Sequence, residues 1–174
     1  MRRIIVTFVL VLVALSYSSA EESDIKTVLI KAKKDVDAGR HAGSIDGLNA
    51  SYKELPVIGD YILFWLAKAY SSEGNIAESN SKIRELLDAY PGSPLKKKAR
   101  AIAVRNIIAS GEDVSDLRAV ESYVSDYSDD YDVRFLYGQF LKKKGENEKA
   151  KKIFRSIYIH CGGLLSKLSY NELS

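Results

Sequence analysis

Cys161 is the only cysteine of this 174-residue chain and stands beside His160, one of its two histidines. A thiol next to an imidazole is the raw material of metal sites and of thiolate nucleophiles. Adjacent residues point their side chains apart, however, and no third or fourth ligand stands at metal spacing. The pair reads as a loop pair with a buried or half-exposed thiol, and His41 as a solvated turn residue. No glycine-rich phosphate loop or nucleophile motif occurs. Glu78 and Glu121 fall inside segments of helical pattern, on what reads as a solvated face. There a carboxyl lacks the burial that would raise its pKa enough for general acid work near neutrality. No catalytic, cofactor-binding or metal-binding residue can be named, and no cofactor is expected.

Charge is the remaining candidate chemistry. Lys96, Lys97, Lys98 and Arg100 form one basic cluster, with Arg105 beyond it. Lys142, Lys143 and Lys144 open a second, continued by Lys149, Lys151 and Lys152, whereas residues 112 to 132 are rich in acids. Clustered cations bind carboxylates and phosphates, so Lys96, Lys97, Lys98, Arg100, Lys142, Lys143 and Lys144 are the candidate contacts for an anionic partner. The plain alternative is a solvated helix face.

The elements that would carry these residues follow from punctuation. Gly39-Arg40, Gly74-Asn75, Gly111-Glu112 and Gly145-Glu146 recur at steps of 35, 37 and 34 residues, a period that belongs to helix-turn-helix arrays. Glycine suits such a place because a helix ends most easily on a residue that tolerates positive φ. Seventeen positions after each glycine stand Pro56, Pro91, Ser128 and Gly162, all helix breakers or weak formers. Between these landmarks apolar residues recur at steps of three, four and seven. After the turns they are Ala42, Ile45, Leu48, Tyr52; Ile76, Ile83, Leu86, Leu87; Leu117, Val120, Tyr123, Val124; and Ala150, Ile153, Phe154, Ile157. Before the turns they are Val28, Leu29, Ala32, Val36; Ile62, Trp65, Leu66, Ala69; Leu95, Ala99, Ile102, Ala103; and Leu136, Tyr137, Phe140, Leu141. No stretch alternates as a strand does. Two helices of about fourteen residues cannot bury their own stripes, so successive hairpins must stack into a superhelix. Tyr52, Tyr90 and Tyr127 read as packing between repeats, and Trp65 as core.

Trp65-Leu66-Ala67-Lys68-Ala69-Tyr70, followed by Gly74-Asn75 and Tyr90-Pro91, resembles the tetratricopeptide repeat. Tyr137-Gly138, Gly145, Ala150, Phe154 and the break at Gly162 resemble it again. Ser44 and Asp116 stand where that repeat has alanine at the helix crossing. The resemblance implies an all-α, right-handed α-solenoid of about four hairpins plus a terminal helix. Residues 59–100, with Asp60-Tyr61, Phe64-Trp65 and Ser93-Pro94-Leu95, are similar to the amino-terminal helical region of soluble lytic murein transglycosylases, and the likeness extends loosely over residues 24–173. That resemblance implies a non-catalytic scaffold meeting peptidoglycan glycan strands or a catalytic domain, and the alternative it leaves is a stand-alone adaptor for a protein partner. The family's Glu-Ser pair is followed by Gly-Leu-Met-Gln. Glu22-Ser23, Glu78-Ser79 and Glu121-Ser122 are not, so the chain as it stands is not expected to cleave murein.

Residues 1–20 run from Arg2-Arg3 through an apolar stretch to Ser18-Ser19-Ala20, the order of a secretory signal peptide. The apolar core is about a dozen residues long against the roughly twenty that span a bilayer. A cleaved signal, a periplasmic location and no stable membrane anchor are expected, leaving residues 21–174 as the superhelical domain. Without Arg2 and Arg3 the 26 Lys+Arg fall to 24 against 23 Asp+Glu, a balance that favours no nucleic acid. At the far end Leu164, Leu165, Leu168 and Leu173 begin a fifth stripe without a partner helix. Either that edge docks on another chain, or these residues are the front of a longer protein.

Overall fold

A computed structural model describes residues 24–111 and 114–173, with the backbone alone for 114–116. Among the described residues there are nine α-helices, one 3₁₀ turn at Pro56–Ile58 and no strand. The fold is all-α and of tetratricopeptide-like solenoid type. The helices are α1 (24–37), α2 (His41–Glu54), α3 (Gly59–Ser72), α4 (Ile76–Ala89), α5 (Lys96–Ser110), α6 (Val114–Asp126), α7 (Tyr131–Lys143), α8 (Asn147–His160) and α9 (Gly163–Asn171). They fall into two compact units divided between Tyr90 and Pro91, one of the breaks the glycine spacing points to. The leader expected at residues 1–20 lies outside the described residues.

Each repeating glycine ends a helix in the left-handed region, with φ of 77° at Gly39, 79° at Gly74, 70° at Gly111 and 81° at Gly145. Three of these turns close with the same pair of bonds. The glycine N–H reaches three residues back, and the next N–H reaches five back, from Arg40 to Asp35, Asn75 to Tyr70 and Glu146 to Leu141, at 2.8 to 2.9 Å. This closure satisfies carbonyls that a helix end otherwise leaves open. It also reverses the chain so that the following helix runs back along the first.

Aligning the hairpins on their glycines places the buried residues in register. Ala32, Ser44, Leu48 and Ser51 correspond to Ala67, Ser79, Ile83 and Leu86, and to Ala150, Phe154 and Ile157 after Gly138. Hairpin α5–α6 supplies Val104, Val120 and Tyr123 at three of those places, all buried. The side chain of Asp116, its fourth place, lies outside those described. Ser44 does not disrupt its hairpin, because the fully buried hydroxyl donates to the His41 carbonyl at 2.7 Å. Ser51 donates to Gly47 and Ser79 to Ala67, each at 2.8 Å. Small residues at the crossing let the backbones approach. A Cβ on Gly138 would come within 2.8 Å of the Phe154 ring.

In the first unit Leu29, Ala32, Val36, Leu48, Ile62 and Leu66 share one core. Trp65 packs against the edge of that core and is half-buried, not enclosed as its apolar neighbours suggest. In the second unit Val104, Val120, Tyr123, Tyr137, Phe140 and Phe154 share another. Tyr90 behaves as packing between hairpins: its hydroxyl donates to the Pro56 carbonyl at 3.1 Å, and it lies where a Cβ on Gly59 would stand.

Candidate binding surfaces

The seven candidate cations separate into two patches of the second unit. Lys97 places Nζ 3.0 Å from the Asp129 carboxylate and 5.3 Å from the centre of the Tyr127 ring. Its hydrogen bond is the main cause that holds the Asp129 carboxyl below its usual range. Arg100 Nη1 donates to Asp126 at 2.9 Å, and its guanidinium lies over the Tyr123 and Tyr127 rings at 5.7 and 5.3 Å. Burial and then the bond from Tyr123 to Asp130, at 2.6 Å, push the Tyr123 phenol well above its ordinary value. Lys96 and Lys98 are exposed and make no ion pair among the described residues.

Lys142 pairs with Glu172 at 2.8 Å, and Lys144 donates to the Gly111 carbonyl at 3.3 Å while its Nζ sits 5.4 Å from the centre of the Phe140 ring. Lys143 is exposed without an ion pair among the described residues. The contact with Gly111 puts this patch at the carboxyl end of α5, whereas Lys96 to Arg100 occupy its amino end. Fifteen residues of helix rise about 22 Å. One short anionic group cannot engage both patches, and four of the seven cations already serve contacts within the unit.

A different surface lies on the first unit. α1 and α3 open successive hairpins, and Lys33 Nζ stands 5.9 Å from the centre of the Trp65 ring. Tyr61 is 6.2 Å from Trp65, ring centre to ring centre, at an angle of 57°. Ile30 and Tyr61 are 56% and 41% exposed. Lys33 also pairs with Asp37 at 2.5 Å, a hydrogen bond that lowers the Asp37 carboxyl. The result is an apolar and aromatic strip edged by both signs of charge. The sequence held one signal for it: Ile30 is an apolar residue off the stripe that buries Leu29, Ala32 and Val36.

The third surface is the α8–α9 edge. Tyr158 and Tyr170 rings stand 5.4 Å apart beside a cleft of about 400 Å³ lined by Ser166, Lys167 and Asn171. Ser166 donates to the Tyr158 carbonyl at 3.1 Å and ties the helices together. Glu172 joins α9 to α7 through Lys142 and Gln139, which hold its carboxyl below the usual value. Leu173 packs on the core beneath, while Leu164 is 72% exposed.

The residues weighed for chemistry are dispersed. Glu78 is exposed on α4 while Ser79 packs into the α3–α4 crossing. Glu121 accepts from the Tyr137 hydroxyl at 3.2 Å, and burial followed by that carboxylate pushes the Tyr137 phenol up to about 12. Glu22-Ser23 lies outside the described residues. His160 Nδ1 is 2.9 Å from the Ser156 carbonyl, and Cys161 Sγ is 3.5 Å from that of Gly162. His41 opens α2 with Nδ1 buried and unpartnered among the described residues, so its ring is less solvated than its turn position suggests. Among the described residues no group of three or more His, Cys, Asp or Glu could hold a metal ion.

A family model described as tetratricopeptide repeat matches residues 61–93, which is hairpin α3–α4 with the break that follows it. Comparison with curated proteins finds no match. The chain is a helical-repeat protein with tetratricopeptide-like hairpins, and this likeness covers one of them.

Proposed function

We propose that the chain is a non-catalytic binding scaffold that holds an extended segment of a protein partner along the α1–α3 face. The observation that carries this reading is the strip of Ile30 and Tyr61, both exposed, and the partly buried Trp65, on the first helices of successive hairpins and edged by Lys33 and Asp37. Stacked hairpins present an extended surface rather than an enclosed pocket. Aromatic anchors with few rotatable bonds bind at low entropic cost. The tetratricopeptide match at residues 61–93 covers half of that face and supports a protein partner.

A phage-displayed library of random peptides provides the test. Enriched peptides should bind the wild-type chain and lose at least about tenfold in affinity with Trp65→Ala or Tyr61→Ala, the usual cost of a central aromatic contact. Peptides bound equally well by those variants overturn the reading.

A narrower reading rests on the resemblance of residues 59–100 to the amino-terminal region of soluble lytic murein transglycosylases. In it the scaffold works in the periplasm, exported by the leader at residues 1–20, and meets peptidoglycan through its cations. Lys96 and Lys98 have the free charge to do so. Replacing Lys96, Lys97 and Lys98 with Glu should then weaken co-sedimentation with purified peptidoglycan, and unchanged co-sedimentation removes this reading while leaving the first intact.

A further inference from the structure

The end of the second unit carries apolar and cationic groups arranged in order of depth. Helices α8 and α9 meet at a short turn, and the residues flanking it, Ile159 and Leu164, are 64% and 72% exposed. Behind them along the helices stand Tyr158 and Tyr170, 46% and 56% exposed. Water-facing leucine and isoleucine at the tip of a hairpin gain nothing from the fold itself, and such a patch marks an interaction site.

Charge selects the partner. Each acid of this edge is already engaged: Glu146 with Lys149 at 2.5 Å, Glu148 with Lys151 at 3.7 Å and Glu172 with Lys142 at 2.8 Å. Lys152, Arg155 and Lys167 are exposed and make no ion pair among the described residues. Their positions follow from the helical rise of about 1.5 Å per residue. Lys167 lies roughly 5 Å behind Leu164, Arg155 roughly 6 Å behind Ile159, and Lys152 roughly 10 Å behind it. Apolar groups of peripheral proteins enter a bilayer interface to about 5–10 Å. Tyrosines favour the headgroup level, and long cationic side chains reach back to phosphates. A soluble anionic peptide would need the cations but has no use for an apolar tip set in front of them.

We propose that the α8–α9 tip docks reversibly on an anionic lipid surface, with Ile159 and Leu164 entering the interface and Lys152, Arg155 and Lys167 meeting the phosphate headgroups. This contact is separate from the α1–α3 face, so a partner held there and a bilayer held here do not compete for the same residues.

Cys161, the only cysteine, lies in the turn itself and provides a local reporter in the full chain. An environment-sensitive fluorophore attached to it should shift to the blue with vesicles of phosphatidylcholine and phosphatidylglycerol, and much less with phosphatidylcholine alone. Nitroxide-bearing lipids should quench it. Replacing Lys152, Arg155 and Lys167 with Gln should weaken the response about fivefold per cation, and added salt should do likewise. Ile159→Glu with Leu164→Glu should abolish it, while the far-ultraviolet circular dichroism stays unchanged because both side chains face water. The apolar run at residues 4–15 can bring the chain to vesicles by itself, but it cannot immerse Cys161. A label that stays in water while the chain co-sediments overturns the proposal. So does a response kept by the Glu variants and lost by the Gln variants, which would indicate a soluble polyanion. A blue shift that grows with protein concentration without vesicles would indicate self-association and also overturn it.

Discussion

Hairpins α3–α4 and α5–α6 share one frame and close it with different adhesives. In the first, Ala67 and Ser79 meet at the crossing and Ile83 and Leu86 fill the space beside them. In the second, Val104 and Tyr123 replace Ala67 and Leu86, and larger residues hold helices farther apart. The α5–α6 interface is spanned by Arg100 and Lys97 lying over Tyr123 and Tyr127 and bonded to Asp126 and Asp129. The tetratricopeptide match covers the first hairpin and ends before the second. The repeat is thus carried by helix ends and register, while the chemistry between its helices can change from apolar contact to stacked cations.

The widest separation between the two should come from core truncation. Leu86 is fully buried, so Leu86→Ala should cost about 2–5 kcal/mol in urea unfolding, with the same loss at low and high salt. Arg100→Ala in the other hairpin should cost less, about 1–2 kcal/mol, and that loss should shrink as salt is added because Asp126 is half exposed. Equal salt dependence in both variants would erase the contrast. Ser79→Ala should cost about 1 kcal/mol or less, since the corresponding place in hairpin α7–α8 is already Ala150. A much larger loss there would mean that the bond to Ala67 holds the crossing, not the small volume.

Acid should separate the hairpins most gently. Lys97 holds Asp129 below its ordinary 3.8, so the folded state binds that proton less readily than the unfolded chain. This contribution is complete above the ordinary value and is lost as pH falls below it. In an NMR titration the Asp129 carboxyl signal should therefore begin to move only below about pH 4, and Lys97→Gln should bring that movement to higher pH, whereas the hydroxyl bond of Ser79 to Ala67 has no ionic part to lose. An Asp129 titration left in place by Lys97→Gln would count against the ionic adhesive.

The turns were legible because glycine punctuation is local: a positive φ at Gly39, Gly74, Gly111 and Gly145 needs no knowledge of the rest of the chain. Burial was harder to read where a helix is apolar on several sides. In α5 the sequence stripe takes in Ile102 and Ala103, yet Ala101, Val104 and Ile107 are the more deeply buried residues. Ala42 looked like a stripe residue and is exposed, whereas Ser44 took the buried place because its hydroxyl could bond within its own helix. Trp65 stands at a core boundary, where neighbouring residue types do not say how much of an indole is covered. The basic clusters were visible as composition, but which cations were already spent depended on Asp126, Asp129 and Glu172 arriving from other helices. That information is tertiary.

Trp65 is the only tryptophan and lies within the α1–α3 face, so its emission reports occupancy of that face without any label. Titrating the chain with a library-enriched peptide should change the Trp65 emission saturably, with a midpoint equal to the dissociation constant measured by calorimetry, and Tyr61→Ala should move both together. Calorimetric saturation with unchanged Trp65 emission would place the peptide elsewhere and contradict the account of this face as the binding surface.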